Sequence, residues 1–118
     1  MKLSGGGIEI LTQVMNAASL RHRVISQNIA NVNTPGYHRL EVRFEDEMAK
    51  ALSHSGGGPI PIVKPQVVVA DGPERVDGNT VDIDQETGDL AKNALLFEAA
   101  AQIVTSRISS YKAAIAGR

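Results

Sequence analysis

Asn28-Ile29-Ala30-Asn31-Val32-Asn33-Thr34-Pro35-Gly36-Tyr37 contains no charged side chain, and neither do the four residues before it, Val24 to Gln27. Its only strong turn signal is Pro35-Gly36. The proline holds φ near −65° and the glycine accepts positive φ, which is what a type II turn requires. Thr34 precedes the proline and is pushed toward an extended conformation. Asn31 and Asn33 tolerate left-handed backbone and suit a helix C-terminus. The stretch therefore predicts a helix that stops near Asn31 and a chain that bends at Pro35-Gly36.

Upstream of it lies a helical period. Ile8, Leu11, Met15, Ala18, His22, Ile25 and Ile29 fall at alternating spacings of three and four, and six of these seven are apolar. Such spacing is the inner seam of a coiled coil. Val14, Ala17 and Val24 widen the apolar face. A helix over 8–31 would be about 36 Å long at 1.5 Å per residue. Residues 1–7, ending in three glycines, read as frayed.

Downstream, the C-terminal pattern is stronger still. Leu90, Ala94, Phe97, Ala101, Val104, Ile108, Tyr111 and Ile115 follow strict four-three alternation, and all eight are apolar. Asp82 is the expected N-cap, with Gln85 three residues on and Asp84 as the alternative cap. Gly88 weakens the first turns by about 1 kcal/mol relative to alanine.

Between the two helices the signals are short. Leu40, Val42 and Phe44 alternate with Glu41 and Arg43, which predicts a short extended segment with one buried side. Phe44 to Leu52 reads as a short helix with an acidic first turn. Residues 53–61 form a Ser-, Gly- and Pro-rich loop. Ile62-Val63 and Val67-Val68-Val69 read as short strands separated by Pro65. Asp77-Gly78 is a tight turn.

The fold expected is mainly α. Long N- and C-terminal helices pair as an antiparallel coiled coil, with a loop and short-strand excursion between them. Residues 1–34 and 82–118 form the coiled-coil unit, and 35–81 the intervening turn, short helix, loop and strands. Neither helix is stable alone, so pairing is the economical solution. The excursion is expected to project from the end where Pro35-Gly36 and Asp82 meet. The outer residues Val14, Val24, Leu96, Ala100 and Ile103 are expected to stay exposed and to mark an association surface.

Composition narrows the chemistry. At 118 residues with 3% aromatics and no Trp, one modest domain is possible. A net charge of −1 favours neither nucleic acid nor an anionic membrane. With no cysteine there is no disulfide framework or thiolate metal site. No apolar run reaches the roughly 18 residues of a membrane span, and no cleaved secretory signal is visible. His22, His38 and His54 share no metal-ligand spacing. The Gly56-Gly57-Gly58 triplet lacks the Lys-Ser/Thr of a phosphate loop. No catalytic site and no cofactor are expected.

The words of the opening stretch add a resemblance. Asn28, Ile29, Ala30 and Asn31, then Thr34, Pro35, Gly36 and Tyr37, match all eight positions of a signature in the bacterial flagellar rod and hook proteins. Asp77-Gly78-Asn79-Thr80-Val81-Asp82-Ile83-Asp84 is similar to the stretch before the last helix of the proximal rod member. The Arg-x-Tyr-x-Ala-Asn pattern usual in that helix elsewhere in the family is absent, and Leu95 to Ala100 stands in the comparable place. That departure favours the proximal member over a FlgC-like rod protein. The resemblance implies a structural subunit of the proximal rod, polymerising through its terminal helices, transmitting torque and forming the export channel wall.

It implies as partners copies of itself, the rod proteins FlgC, FlgF and FlgG, the ring–rod adaptor FliE, and the flagellar type III export apparatus. It implies export without signal cleavage to a periplasmic rod. The signature residues, in an uncharged run, are expected at subunit contacts. The coiled-coil seam is expected at Leu11, Met15, Ile25, Leu90, Phe97, Val104, Ile108 and Tyr111. A small helical adaptor that binds a partner helix has the same composition. An enzyme has no supporting motif.

Overall fold

Pro35-Gly36 and Asp82 bring two long helices together, as the computed structural model of the protein shows for residues 5–117. Along the chain come helix α1 (Gly5–Ala30), strand β1 (Leu40–Arg43), helix α2 (Glu45–Ser55), strand β2 (Gln66–Val69) and helix α3 (Ile83–Ile115). α1 and α3 lie antiparallel. Asn28 meets Glu86, Asn93 meets the carbonyl of Ala18, and Arg107 covers Gly7. The molecule is elongated, 64 × 29 × 14 Å along its principal axes.

α1 starts at Gly5, three residues before the expected Ile8. A side chain at Gly7 would collide with the Arg107 guanidinium. That guanidinium is the far end of a flexible side chain and can move aside, so what holds the first turn is its packing beside α3, which offsets the poor helix propensity of the triplet. Residues 1–4 of the expected frayed segment lie outside the described residues.

The middle segment corrects the expectation of a projecting excursion. β1 turns back along α1 and pairs antiparallel with β2, Leu40 opposite Val69 and Val42 opposite Val67. α2 then packs on α1 through a core of Ala17, Phe44 and Met48, with Val14, Leu52 and Val63 around it. Adjacent alanines explain how one helix serves two partners. Ala17 faces α2 and Ala18 faces α3, since successive residues point about 100° apart on a helix. Val24 and Ala100, expected outside, are buried, and Val14 is partly covered. Leu96 and Ile103 do remain exposed.

Ile62-Val63 is not a strand. Pro61 and Pro65 remove donors on either side, and Ile62 is 87% exposed. This segment is tied down by one glutamine. Gln13 Nε2 donates to the Pro61 carbonyl at 2.9 Å, and its Oε1 accepts from the Val63 amide at 2.8 Å. Arg21 pins the start of α2 by a two-pronged bond to Glu45, at 2.7 and 3.0 Å.

Candidate assembly site

The turn forms as expected. Gly36 has φ of 74°, and the Tyr37 amide donates to the Thr34 carbonyl at 3.2 Å. Asp82 caps α3, its side chain accepting from the amides of Asp84 and Gln85. What the sequence did not reveal is that these two motifs interlock. Asn79, fully buried, donates through Nδ2 to the carbonyls of Asn31, Val32 and Thr34, at 2.9, 3.2 and 2.7 Å. These carbonyls belong to the turn that follows α1, and those of Asn31 and Thr34 each also accept a backbone amide within it. The Gly36 amide donates to the Asp77 carbonyl, and the Thr80 amide to the Tyr37 carbonyl. Arg75 closes the other side, donating to the carbonyls of Val32 and Val81.

One layer deeper is a charged cluster. Glu86 is fully buried. It accepts from Arg39 Nε at 2.6 Å and from Asn28 Nδ2 at 3.0 Å. Asn28, also fully buried, further donates to the Leu40 carbonyl, and its Oδ1 accepts from the Leu40 amide and the Tyr37 hydroxyl. All of the amide's hydrogen-bonding directions are therefore used, and α1, β1 and α3 are fixed in register through one side chain. Burial works against the charge on Arg39. The bond to and charge of Glu86, then Asp89 and Glu41, outweigh it and raise its pKa. Burial also raises the Tyr37 pKa, partly opposed by a bond with Gln27 and reinforced by the Glu86 charge.

The signature residues therefore divide. Asn28 is spent inside the chain, and Tyr37, half-buried, serves the same cluster. Ile29 and Asn31 are half-buried, while Ala30, Thr34, Pro35 and Gly36 are exposed. Arg39, Asn79 and Glu86 are the participants that the sequence reading missed. Asn79 stood in a quoted motif, but its use as a triple donor depends on contacts some 45 residues away along the chain.

The α3 stripe also divides. Leu90, Phe97, Val104 and Tyr111 run along the edge of the contact with α1. On one side of that line Glu86, Asn93, Ala100 and Arg107 turn toward α1; the first three are buried and Arg107 half-buried. On the other side Ala94 and Ile108 turn outward. Phe97 and Ile108, expected in the seam, are 39% and 41% exposed in the single chain. On α1, Ile25 is buried and Leu11 and Met15 are partly covered. The result is a helix with Leu95, Leu96, Phe97, Ile103, Ile108 and Ile115 open along its length. The described part of α1 starts near Arg107, and among the described residues no other helix is placed beside the last turns of α3.

Among the described residues no group of His, Asp or Glu is arranged to hold a metal ion, and no helix is long and apolar enough to cross a membrane. The features left are a rigid polar junction at one end and an uncovered apolar helix face.

The family model described as "Flagella basal body rod protein" matches residues 8–38. The chain is 30% identical to the flagellar basal body rod protein FlgB of Yersinia enterocolitica, over 79% of this chain and 81% of the relative. It is 27% identical to FlgB of Bacillus subtilis over 99% of this chain and 98% of the relative. It is 29% identical to FlgB of Aeromonas hydrophila over 87% of each.

Proposed function

This chain belongs to the flagellar basal body rod protein FlgB family, and we propose that it builds the rod through the uncovered face of α3. It is a structural subunit of the basal body rod and assembles with other basal body proteins. The observation that carries the finer reading is the set of six large apolar side chains open on α3: Leu96 and Ile103 on one flank of the contact with α1, Phe97, Ile108 and Ile115 on the other, and Leu95 away from it. Apolar side chains open on both flanks of one helix along its length are a surface made for other helices. Packed side by side, neighbouring copies cover each other's stripes, and a contact between two different patches repeats without closing. The exposed signature residues Ala30, Thr34, Pro35 and Gly36 lie at the junction end, where the same lattice brings neighbours close.

In this reading the subunit stands in the proximal rod, on the periplasmic side, after export without signal cleavage by the flagellar type III apparatus. FliE and the rod proteins FlgC, FlgF and FlgG are its neighbours. Its terminal helices line the export channel and carry torque. The role is structural and non-catalytic. The test is to replace Leu96 and Ile103 singly with Asp and to score rods in isolated basal bodies and swarming on soft agar. Both variants should fold and fail to build rods. Normal rods from both would remove the α3 face from the assembly.

A further inference from the structure

The two edges of the small sheet differ. Along β1, Leu40 and Val42 turn their backbone groups toward α1. Asn28 Nδ2 donates to the Leu40 carbonyl at 2.8 Å, Asn28 Oδ1 accepts from the Leu40 amide at 2.9 Å, and Arg21 donates to the Val42 carbonyl at 3.1 Å. Arg39, Glu41 and Arg43 therefore face β2, in agreement with the bond from the Ala70 amide to the Arg39 carbonyl. By the register of the pair, Gln66, Val68 and Ala70 face back. Val67 and Val69 then direct their amides and carbonyls away from β1, and among the described residues those groups have no partner. β1 is the element against which β2 packs, and the far edge of β2 is open. The side chains of Val67 and Val69, 45% and 60% exposed, stand on one face with Val42 and Leu40.

We propose that this edge pairs with the same edge of a second copy, forming a four-stranded antiparallel sheet about a two-fold axis at Val68. Unpaired backbone groups on a strand edge select another strand. The register follows from which groups are open. Placing Val67 opposite Val69 of the second copy, and Val69 opposite its Val67, uses every open amide and carbonyl of both valines in each copy. Pro65, which has no amide hydrogen, is not called on to donate. The exposed valines then pack as cross-strand pairs and continue the apolar face of Leu40 and Val42. Charge sets the direction. Lys64 before the strand and Asp71 after it are exposed, with no ion pair among the described residues. Antiparallel pairing brings Lys64 of each copy to the end that holds Asp71 of the other, whereas parallel pairing sets like charges side by side. The occupant is a second copy because the edge complements itself in hydrogen bonding, in apolar side chains and in charge. The contact is isologous and closes at two, so it is a state of the free subunit and not one of the contacts that lengthen a rod. It is independent of the α3 face.

The interface is small, so the pairing is weak, with half of the chains associated at about 100 µM. Sedimentation of the purified chain from about 10 µM to about 1 mM should show the mass rising from one chain toward two and no further. Val69→Pro removes one outward amide per copy and keeps the ladder with β1, so it should fold like the parent and stay monomeric. The chain has no cysteine, so single cysteines report the axis. In the dimer Val68 stands opposite its own counterpart with Cα atoms about 4.5 Å apart, while Gln66 is about 14 Å from its own. Val68→Cys should therefore oxidise to a covalent dimer at least about tenfold faster than Gln66→Cys. A parent that stays monomeric at the highest concentration would overturn the proposal, and so would equal cross-linking of the two cysteine variants. Leu96→Asp, which alters the α3 face, should still pair through β2, and a dimer lost with it would place the association on α3 instead. Val69→Pro should build rods at parental yield. Loss of rods from this variant, with the free chain folded, would assign the edge to a strand of another basal body protein and overturn the two-fold pairing.

Discussion

At the scale of single residues, the Glu86–Arg39 pair and Gly36 hold the junction, and each gives a measurable consequence. Removing Glu86 leaves Arg39 charged at a position where its side chain is 9% exposed. Breaking a buried pair from one side costs about 3–5 kcal/mol, while replacing both partners by apolar groups is often nearly neutral. Glu86→Ala should therefore lower the urea midpoint sharply, and Arg39→Met with Glu86→Leu should recover most of the loss. If the double variant is as weak as the single, the pair is not the source of the effect. Gly36 is the second case. Its φ of 74° is strained for any side chain, although no atom lies within 4 Å of an added Cβ. Gly36→Val should cost about 1–3 kcal/mol through backbone strain alone, and Gly36→Ala less. Gly78, with φ of 81°, faces Gly36 so closely that its Cβ would lie 3.4 Å from the Gly36 Cα, so the two turns depend on each other. Denaturant titration of both Gly36 variants would expose a turn that tolerates valine without loss. The positive φ was readable from Pro-Gly. Asn79, three carbonyls deep in the same turn, was not, because nothing local distinguishes it from a surface asparagine.

At the scale of elements, the helices and their antiparallel pairing were legible because each carries a long four-three apolar period. The phase of α3 was not. Its stripe is wider than one contact, so Leu90, Phe97, Val104 and Tyr111 mark an edge that either flank could have turned inward. The flank that does turn inward carries Glu86 and Asn93, which no hydrophobicity count would choose. Polar bonds to Asn28 and Ala18 select it. This gives a contrast between two substitutions eight residues apart on α3. Ala100, 3% exposed against α1, should not accept Asp without a loss of roughly 3 kcal/mol or more from a buried unpaired charge. Ile108→Asp should leave the free subunit's unfolding midpoint unchanged and prevent rod formation. Equal destabilisation of the free chain by both would mean that Ile108 packs internally. The return of the middle segment along α1 was also hidden, since Gln13 and Arg21 read as ordinary surface positions. Arg21 lowers the pKa of Glu45, against the raising effect of burial. A carboxylate depressed in the folded state contributes stability fully above its unfolded value of 4.5 and loses it as pH falls through the lower folded value. Glu45 is 53% exposed, so the effect is modest. Between about pH 6 and about pH 3 the parent should lose more melting temperature than Glu45→Gln, and identical losses would show that the Arg21 pair does not act on α2.

At the scale of the whole molecule, the two ends differ in kind. One end is tied by Asn28, Arg39, Asn79 and Glu86, with nearly every polar group paired inside the chain. At the other, α3 runs past the described part of α1, and Ile108 and Ile115 stand 41% and 79% exposed. A helix end with few buried contacts opens easily, and amide exchange reports that opening. In the free subunit, protection should be strongest at residues 24–30 and 83–93 and weakest at 104–115. Assembly should reverse the order of change. The junction end is already satisfied, so its exchange should hardly slow, while residues 104–115 should gain most of the new protection as neighbours cover the stripe. The measurement is exchange mass spectrometry on the free chain and on isolated rods, compared peptide by peptide. If residues 104–115 are as protected as 83–93 in the free chain, α3 is already complete alone and the uncovered face is not waiting for neighbours. If both ends gain protection equally, assembly orders the whole subunit, and the junction is formed with the rod and not before it. The paired charges favour the first pattern, because Arg39 and Glu86 can be buried only once the junction has closed around them.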